Sequence, residues 1–201
     1  RADRVVVPSH YSARTARARY GVAPEALAVV PAPIDLDAWR RHFAATTREA
    51  RARPTVLAVA RLYPRKRIQD LLQAAVVLRE RIPDGAIRIV GEGPEGGHLR
   101  GLHRRLGLED TVRFLGQVSR GALAVEYASA DCFCLPTVQE GFGLVFLEAM
   151  AAGLPVVACR AAAVPEVVED RRTGLLVNPR SPEELARAIE ALLVNEGLRK
   201  D

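Results

Sequence analysis

Six short apolar runs, each followed by an amphipathic stretch, constrain this chain more than any other feature of its sequence. Val56-Leu57-Ala58-Val59 precedes Ile68 to Arg81, Ala86 to Val90 precedes Leu99 to Leu106, and Val112 to Leu115 precedes Ala122 to Ala128. Further on, Cys132 to Leu135 precedes Leu144 to Ala152, Pro155 to Cys159 precedes Pro165 to Val168, and Gly174 to Val177 precedes Glu183 to Val194. Alternation of this regularity is what successive βαβ units produce. The runs are apolar throughout rather than alternating, so both of their faces need cover, which a parallel sheet with helices above and below supplies. The expected fold is α/β, a Rossmann-like parallel sheet with helices on both faces.

Punctuation agrees with these boundaries. Ser181-Pro182-Glu183-Glu184 has the pattern of a capping box opening the last helix, and Gly153-Leu154-Pro155 ends the helix before it. The first fifty residues fit the alternation less well. Val5-Val6-Val7 and Ala28-Val29-Val30 predict two strands with an Arg-rich helix between them, and Arg40 to Arg53 predicts a mobile linker or a short helix. The expected organisation is a tail of a preceding domain plus linker over 1–50 and one nucleotide-binding domain over 51–201. A start without Met at Arg1-Ala2-Asp3-Arg4, lacking signal-peptide character, argues for a fragment or a processed chain.

Composition narrows the ligand. With 49% hydrophobic and 26% charged residues the chain is that of a folded domain. Its net charge of +5 suits an anion, but the arginines are dispersed and lack the aromatic interleaving of a nucleic-acid groove, so a phosphate-bearing small molecule is expected and no nucleic acid. No apolar run reaches the roughly 20 residues of a membrane helix. Cys132, Cys134 and Cys159 lie in strand runs and are expected to be buried free thiols of a cytoplasmic protein. His10, His42, His98 and His103 include no pair three or four apart, so no metal site is expected.

In open α/β sheets ligands bind beyond the carboxyl ends of the strands, and three loops there carry chemistry. Glu140-Gly141-Phe142-Gly143-Leu144-Val145-Phe146-Leu147-Glu148 sets two carboxylates around a Gly-x-Gly turn that opens a helix. Such a helix start offers unpaired amides and a positive dipole end to phosphate, and the carboxylates can accept from hydroxyls on either side of a diphosphate. Arg61-Leu62-Tyr63-Pro64-Arg65-Lys66 follows a strand and supplies a guanidinium fork and a compact ammonium. Gly91-Glu92-Gly93-Pro94-Glu95-Gly96 spells the Gly-x-Gly-x-x-Gly pattern, but with Pro94 where a helix should begin it points to a glycine-lined nucleotide loop rather than a nicotinamide site.

Taken in order, these segments resemble the C-terminal domain of the GT-B-fold glycosyltransferases of group 1, the retaining family four. The resemblance rests on Val59-Ala60-Arg61-Leu62 with Lys66, Val90-Gly91-Glu92-Gly93-Pro94, Val112-Arg113-Phe114-Leu115-Gly116, Glu140 to Glu148 running into Ala149 to Ala158, Pro165-Glu166-Val167, and Thr173 to Val177. It implies a nucleotide-diphosphate sugar (UDP-, GDP- or ADP-linked) as donor and no further cofactor. Arg61 and Lys66 would hold the diphosphate, Glu140 the sugar hydroxyls and Glu148 the ribose diol. Gly91, Gly141 and backbone groups of Phe142, Gly143 and Leu144 would line the donor, with Gly116-Gln117-Val118 beside the base. Arg61, Lys66 and Glu140 are the candidate catalytic groups. The family commonly has Gly where Ala60 and Arg67 stand here. Its acceptor-binding N-terminal domain, through which peripheral membrane attachment is left open, lies outside this chain. Asp35-Leu36-Asp37 has the spacing of metal-binding aspartates in another glycosyltransferase class, but is expected to be a turn. A nucleotide-sugar epimerase of the same architecture and a non-catalytic nucleotide-binding module are the alternatives.

Overall fold

The computed structural model describes residues 3–44, 53–195 and 197–198. It opens with β1 (Val5–Val7), α1 (His10–Tyr20) and β2 (Leu27–Val29), whose strands pair in parallel with Val5 opposite Leu27, and continues into α2 (Leu36–Ala44). The six apolar runs then form β3 (Thr55–Val59), β4 (Ala86–Val90), β5 (Val112–Gly116), β6 (Cys132–Leu135), β7 (Val156–Cys159) and β8 (Gly174–Val177). Between and after them stand α3 (Ile68–Arg81), α4 (Gly96–Arg105), α5 (Arg120–Ala128), α6 (Leu144–Ala151), a 3-10 turn at Val164–Glu166 and α7 (Pro182–Val194). The predicted helical stretch near Pro165 is that single tight turn.

The strands lie in the order β5-β4-β3-β6-β7-β8, every pair parallel. Winding runs outward from β3 through β4 to β5, then returns and proceeds the other way from β6, so the direction reverses between β3 and β6. Crossovers of one hand put helices of the two halves on opposite faces. Accordingly α3 packs with α4 and α7, whereas α2 packs with α5 and α6. Every residue of β6 and β7 is buried, as a strand covered on both faces requires, and the three free cysteines lie among them.

Aromatics are scarce, and five of them are concentrated in one contact chain. Trp39 of α2, 2% exposed, meets Tyr127 edge-on at 5.6 Å and stacks on Phe43 at 5.4 Å. Tyr127 continues to Phe133 at 6.0 Å, and Phe133 to Phe146 at 5.9 Å. Thus α2 is fastened to the layer that carries α5 and α6. Residues 45–52 of the predicted linker lie outside the described residues.

Two local expectations change. Ser181 does not cap α7 with its side chain; the Glu184 carboxylate instead takes the Asn178 amide at 2.9 Å and its side-chain amide at 3.0 Å. Two donors from the preceding turn outcompete the single reciprocal bond of a capping box. Asp35 is not in a free turn but at the start of α2, where its Oδ1 accepts from the Ala38 amide at 2.8 Å and its carbonyl from Trp39 at 3.1 Å. The expected stop after α6 is a Schellman closure: Gly153 at φ 72° donates to Met150, and Leu154 to Ala149. Among the described residues no helix is long and apolar enough to cross a membrane. Trp39→Ala is expected to remove about 3–5 kcal/mol of unfolding free energy, the range for emptying a large buried aromatic site; a urea titration that finds less than about 1 kcal/mol would mean that α2 is not structurally fastened here.

Candidate functional site

At the reversal point the loops after β3 and β6 are stitched together. The Val138 amide donates to the Arg65 carbonyl at 3.0 Å, and the Thr137 hydroxyl to the same oxygen at 3.2 Å. The Lys66 ammonium donates to the Glu140 carboxylate in a charge-assisted bond, and both side chains are largely withdrawn from solvent. The two sequence-nominated groups are therefore joined directly.

On the other side of β3 the loops are zipped by backbone. Ala60 donates to Val90 at 3.0 Å, Leu62 to Glu92 at 2.9 Å, Glu95 to Leu62 at 3.0 Å, and Gly91 to Gly116 at 2.7 Å. Such proximity leaves no room for side chains. A Cβ on Gly91, which sits at φ 118°, would lie 2.0 Å from the Ala60 oxygen, and one on Gly93 2.6 Å from the Leu62 oxygen. These glycines of the Gly-x-Gly-x-x-Gly segment thus serve the approach of neighbouring loops; α4 begins only at Gly96.

The stitched loops enclose a cleft of about 710 Å³ lined by Ala60, Arg61, Gly91, Glu92, Gly93, Pro94, Gln117 and Val145. That volume is within the usual range for small-molecule sites. Arg61 is exposed on its rim, and its guanidinium and that of Arg65 stand 5.3 and 4.7 Å from the centroid of the Tyr63 ring. Gly116 turns at φ 67° beside Gln117, while Val118 is half-buried and packs on the hydrophobic core.

Opposite lies the start of α6. Gly143 precedes it at φ 97°, where a Cβ would meet Phe146 at 2.5 Å and the Glu140 Cγ at 3.1 Å. No side chain caps α6 and no acid occupies its first turn, so the first amides are unsatisfied by side chains. Val145 lines the cleft, Leu144 is 41% exposed, Gly141 is exposed and Phe142 half-buried. A turn further on, half-buried Glu148 accepts from the Tyr127 hydroxyl at 3.0 Å. Burial pushes the Glu148 carboxyl up, against opposing effects from the Tyr127 hydrogen bond and the Arg120 charge. Burial and the neighbouring carboxylate push the Tyr127 phenol far above its ordinary range, so it remains a donor.

Both departures from the family's glycines are accommodated. Arg67 holds φ 54°, a left-handed conformation that favours glycine, and forks onto buried Asp70 at 2.9 and 2.6 Å. Ala60 keeps a normal φ, and its carbonyl is the group that excludes a side chain at Gly91. Sequence reasoning missed Tyr127 and Arg120, which set the environment of Glu148. No local motif marks them; only their position on the helix that packs beside α6 brings them there.

A six-stranded parallel sheet of this topology, with an open cleft at its reversal point, is one half of a GT-B fold, and comparison with known proteins gives the family. The model for glycosyl transferases group 1 matches residues 41–201, and the chain belongs to that family. A GDP-mannose-dependent alpha-(1-6)-phosphatidylinositol monomannoside mannosyltransferase of Mycobacterium tuberculosis is 36% identical over 205 residues, 96% of this chain and 53% of the relative. D-inositol 3-phosphate glycosyltransferase 2 of Catenulispora acidiphila is 36% identical over 206 residues, 96% of this chain and 48% of its own. Among solved structures, HepE of Anabaena in complex with UDP and glucose superposes with a TM-score of 0.84 at 26% identity, covering 98% of this chain and 55% of that one. The chain thus spans about half the length of the curated relatives it matches.

A carboxyl raised by folding contributes its full stability below the unfolded value near pH 4.3 and loses it as pH rises through the raised folded value. Glu148→Gln, which keeps an acceptor for Tyr127, is therefore expected to be more stable than the parent at pH 8 and indistinguishable from it at about pH 4. Thermal unfolding across that range checks the sign; a variant less stable at pH 8 contradicts it. Gly143→Ala is expected to cost about 2 kcal/mol or more through strain and contact with Phe146, measurable by chemical denaturation.

Proposed function

We propose that this chain is the donor-binding half of a retaining glycosyltransferase that takes a hexosyl group from a nucleotide-diphosphate sugar and delivers it to an acceptor held by a separate N-terminal domain. The observation that carries the reading is the placement at one sheet reversal of Arg61 and Val145 of α6 on the cleft, with the Lys66–Glu140 pair on the adjoining loops and Glu148 a turn further along α6. Cations and helix amides aimed at one place suit a departing diphosphate, whose charge grows as the bond to the anomeric carbon lengthens. Lys66 has three donors, so it can hold Glu140 and a phosphate oxygen at once. Glu140 would orient sugar hydroxyls, Glu148 the ribose diol, and the Gly116–Val118 loop the base. The two cations supply charge that a divalent metal would otherwise contribute, so transfer proceeds without an obligatory metal or other cofactor.

The relatives support the donor class: one is GDP-mannose-dependent, and the HepE structure holds UDP and glucose. The residues before about 50 would be the tail of the acceptor-side domain and its linker, with 51–201 as the donor domain. The small β1–β2 sheet, separate from the six-stranded one, supports that division. We place the intact enzyme in the cytoplasm, membrane-peripheral when its acceptor is lipid-linked. Because the site would close between two domains, the isolated chain should bind donor nucleotide but turn it over poorly.

Calorimetric titration with UDP, GDP and ADP tests the donor site. One nucleotide should bind, and Arg61→Ala and Lys66→Ala should each weaken it about 10-fold or more, the usual cost of a lost charge-assisted contact. A folded sample and an intact enzyme that both ignore all three nucleotides would falsify the reading. An inverted anomeric configuration in the product, read by NMR, would remove the retaining mechanism alone.

A further inference from the structure

The loop that carries Glu140 is held from outside the donor domain. Ser9, 2% exposed, is the N-cap of α1: its oxygen accepts from the Ser12 amide at 3.0 Å, and its hydroxyl donates to the Gly141 carbonyl at 2.7 Å. The Ser12 hydroxyl is a second donor to that carbonyl at 3.2 Å. Beside them, the two oxygens of Glu166 accept the first amides of α1, from His10 and Tyr11, at 2.7 Å each, and Arg14 stands 3.9 Å away. Those amides have no partner within the helix, so a carboxylate there satisfies two donors and opposes the dipole. The 3-10 turn bearing Glu166 is tied to the same loop, since the Ala163 amide donates to the Glu140 carbonyl at 3.2 Å.

Gly141 and Gly143 give the loop wide backbone freedom, which is costly for a segment that must present a carboxylate and helix amides at fixed positions. We propose that the start of α1 is a clamp on the donor loop, in which Ser9, Ser12 and Glu166 are positioning residues for Glu140 and the start of α6. The N-terminal segment then fixes the geometry of the donor-side loop, and displacement of α1 releases the Gly141 carbonyl and loosens the sugar-facing end of the site. This rests on the donor-site reading above.

The test uses the intact transferase with Ser9→Ala, Glu166→Ala and, should the buried Ser9 variant fail to fold, Ser12→Ala. Expected is a fall in kcat of roughly 10-fold, with affinity for the free nucleoside diphosphate within about 2-fold and Tm within about 3 °C of the parent. Ser9→Thr, which keeps the hydroxyl, should recover most of the rate. Parental kcat in the variants, or equal losses of rate, nucleotide affinity and Tm without recovery by threonine, overturns the clamp while leaving the donor site standing. Parent enzyme that binds no nucleoside diphosphate overturns both.

Discussion

The candidate site depends on the reversal of winding between β3 and β6. Strands covered on both faces leave no surface for polar chemistry except their ends, and adjacent loops diverge only where neighbouring strands lead to opposite layers. The loop after β3 turns toward α3 and that after β6 toward α6, so they flank a gap instead of filling it. Residues 61–66 and 140–148, far apart in the chain, meet there because of topology. The Lys66–Glu140 pair is the local expression of that constraint.

Holding the gap open demands rigidity on each side. On the β4 side it comes from backbone bonds so close that Gly91 and Gly93 cannot carry side chains. On the β6 side it comes from polar side chains: Thr137 and Lys66 from within the domain, and Ser9 and Ser12 from the segment before it. The first wall is held by backbone bonds between neighbouring loops, and the second by side-chain bonds that reach in from other elements.

The fold was legible because burial on both faces writes itself as uninterrupted apolar runs; all six predicted strands form within a residue of their expected bounds. The groups that meet at the cleft were legible because Gly-rich loops after strands advertise close approach. What escaped was whatever a competing or distant partner decides. Ser181 to Glu184 spells a capping box, but Asn178 offered Glu184 two donors. Asp35-Leu36-Asp37 is expected to be a turn, but Asp35 takes the Ala38 amide and opens α2. Ser9 and Gly141 are 132 residues apart, and His10 and Glu166 are 156 apart, so no local pattern announces their bonds.

Glu148 shows how the foundations of the site compete with its chemistry. The aromatic chain from Trp39 through Tyr127 to Phe133 and Phe146 fastens α2, α5 and α6 together, and its Tyr127 lies against the Glu148 carboxyl, which burial desolvates. Tyr127 and Arg120 return part of that cost by bonding and attracting the charged form, and Arg120 does so while its guanidinium lies 5.2 Å from the Trp39 ring. The same α2 tryptophan therefore packs against both groups that act on this candidate carboxylate. Since α2 follows β2 and α1 in the chain, the segment that clamps the Gly141 loop at one end of the site is continuous with the helix that supports Glu148 at the other. One carboxylate of the spaced pair thus stands on a loop bonded to the N-terminal segment, and the other beside two side chains that pack on that segment's tryptophan.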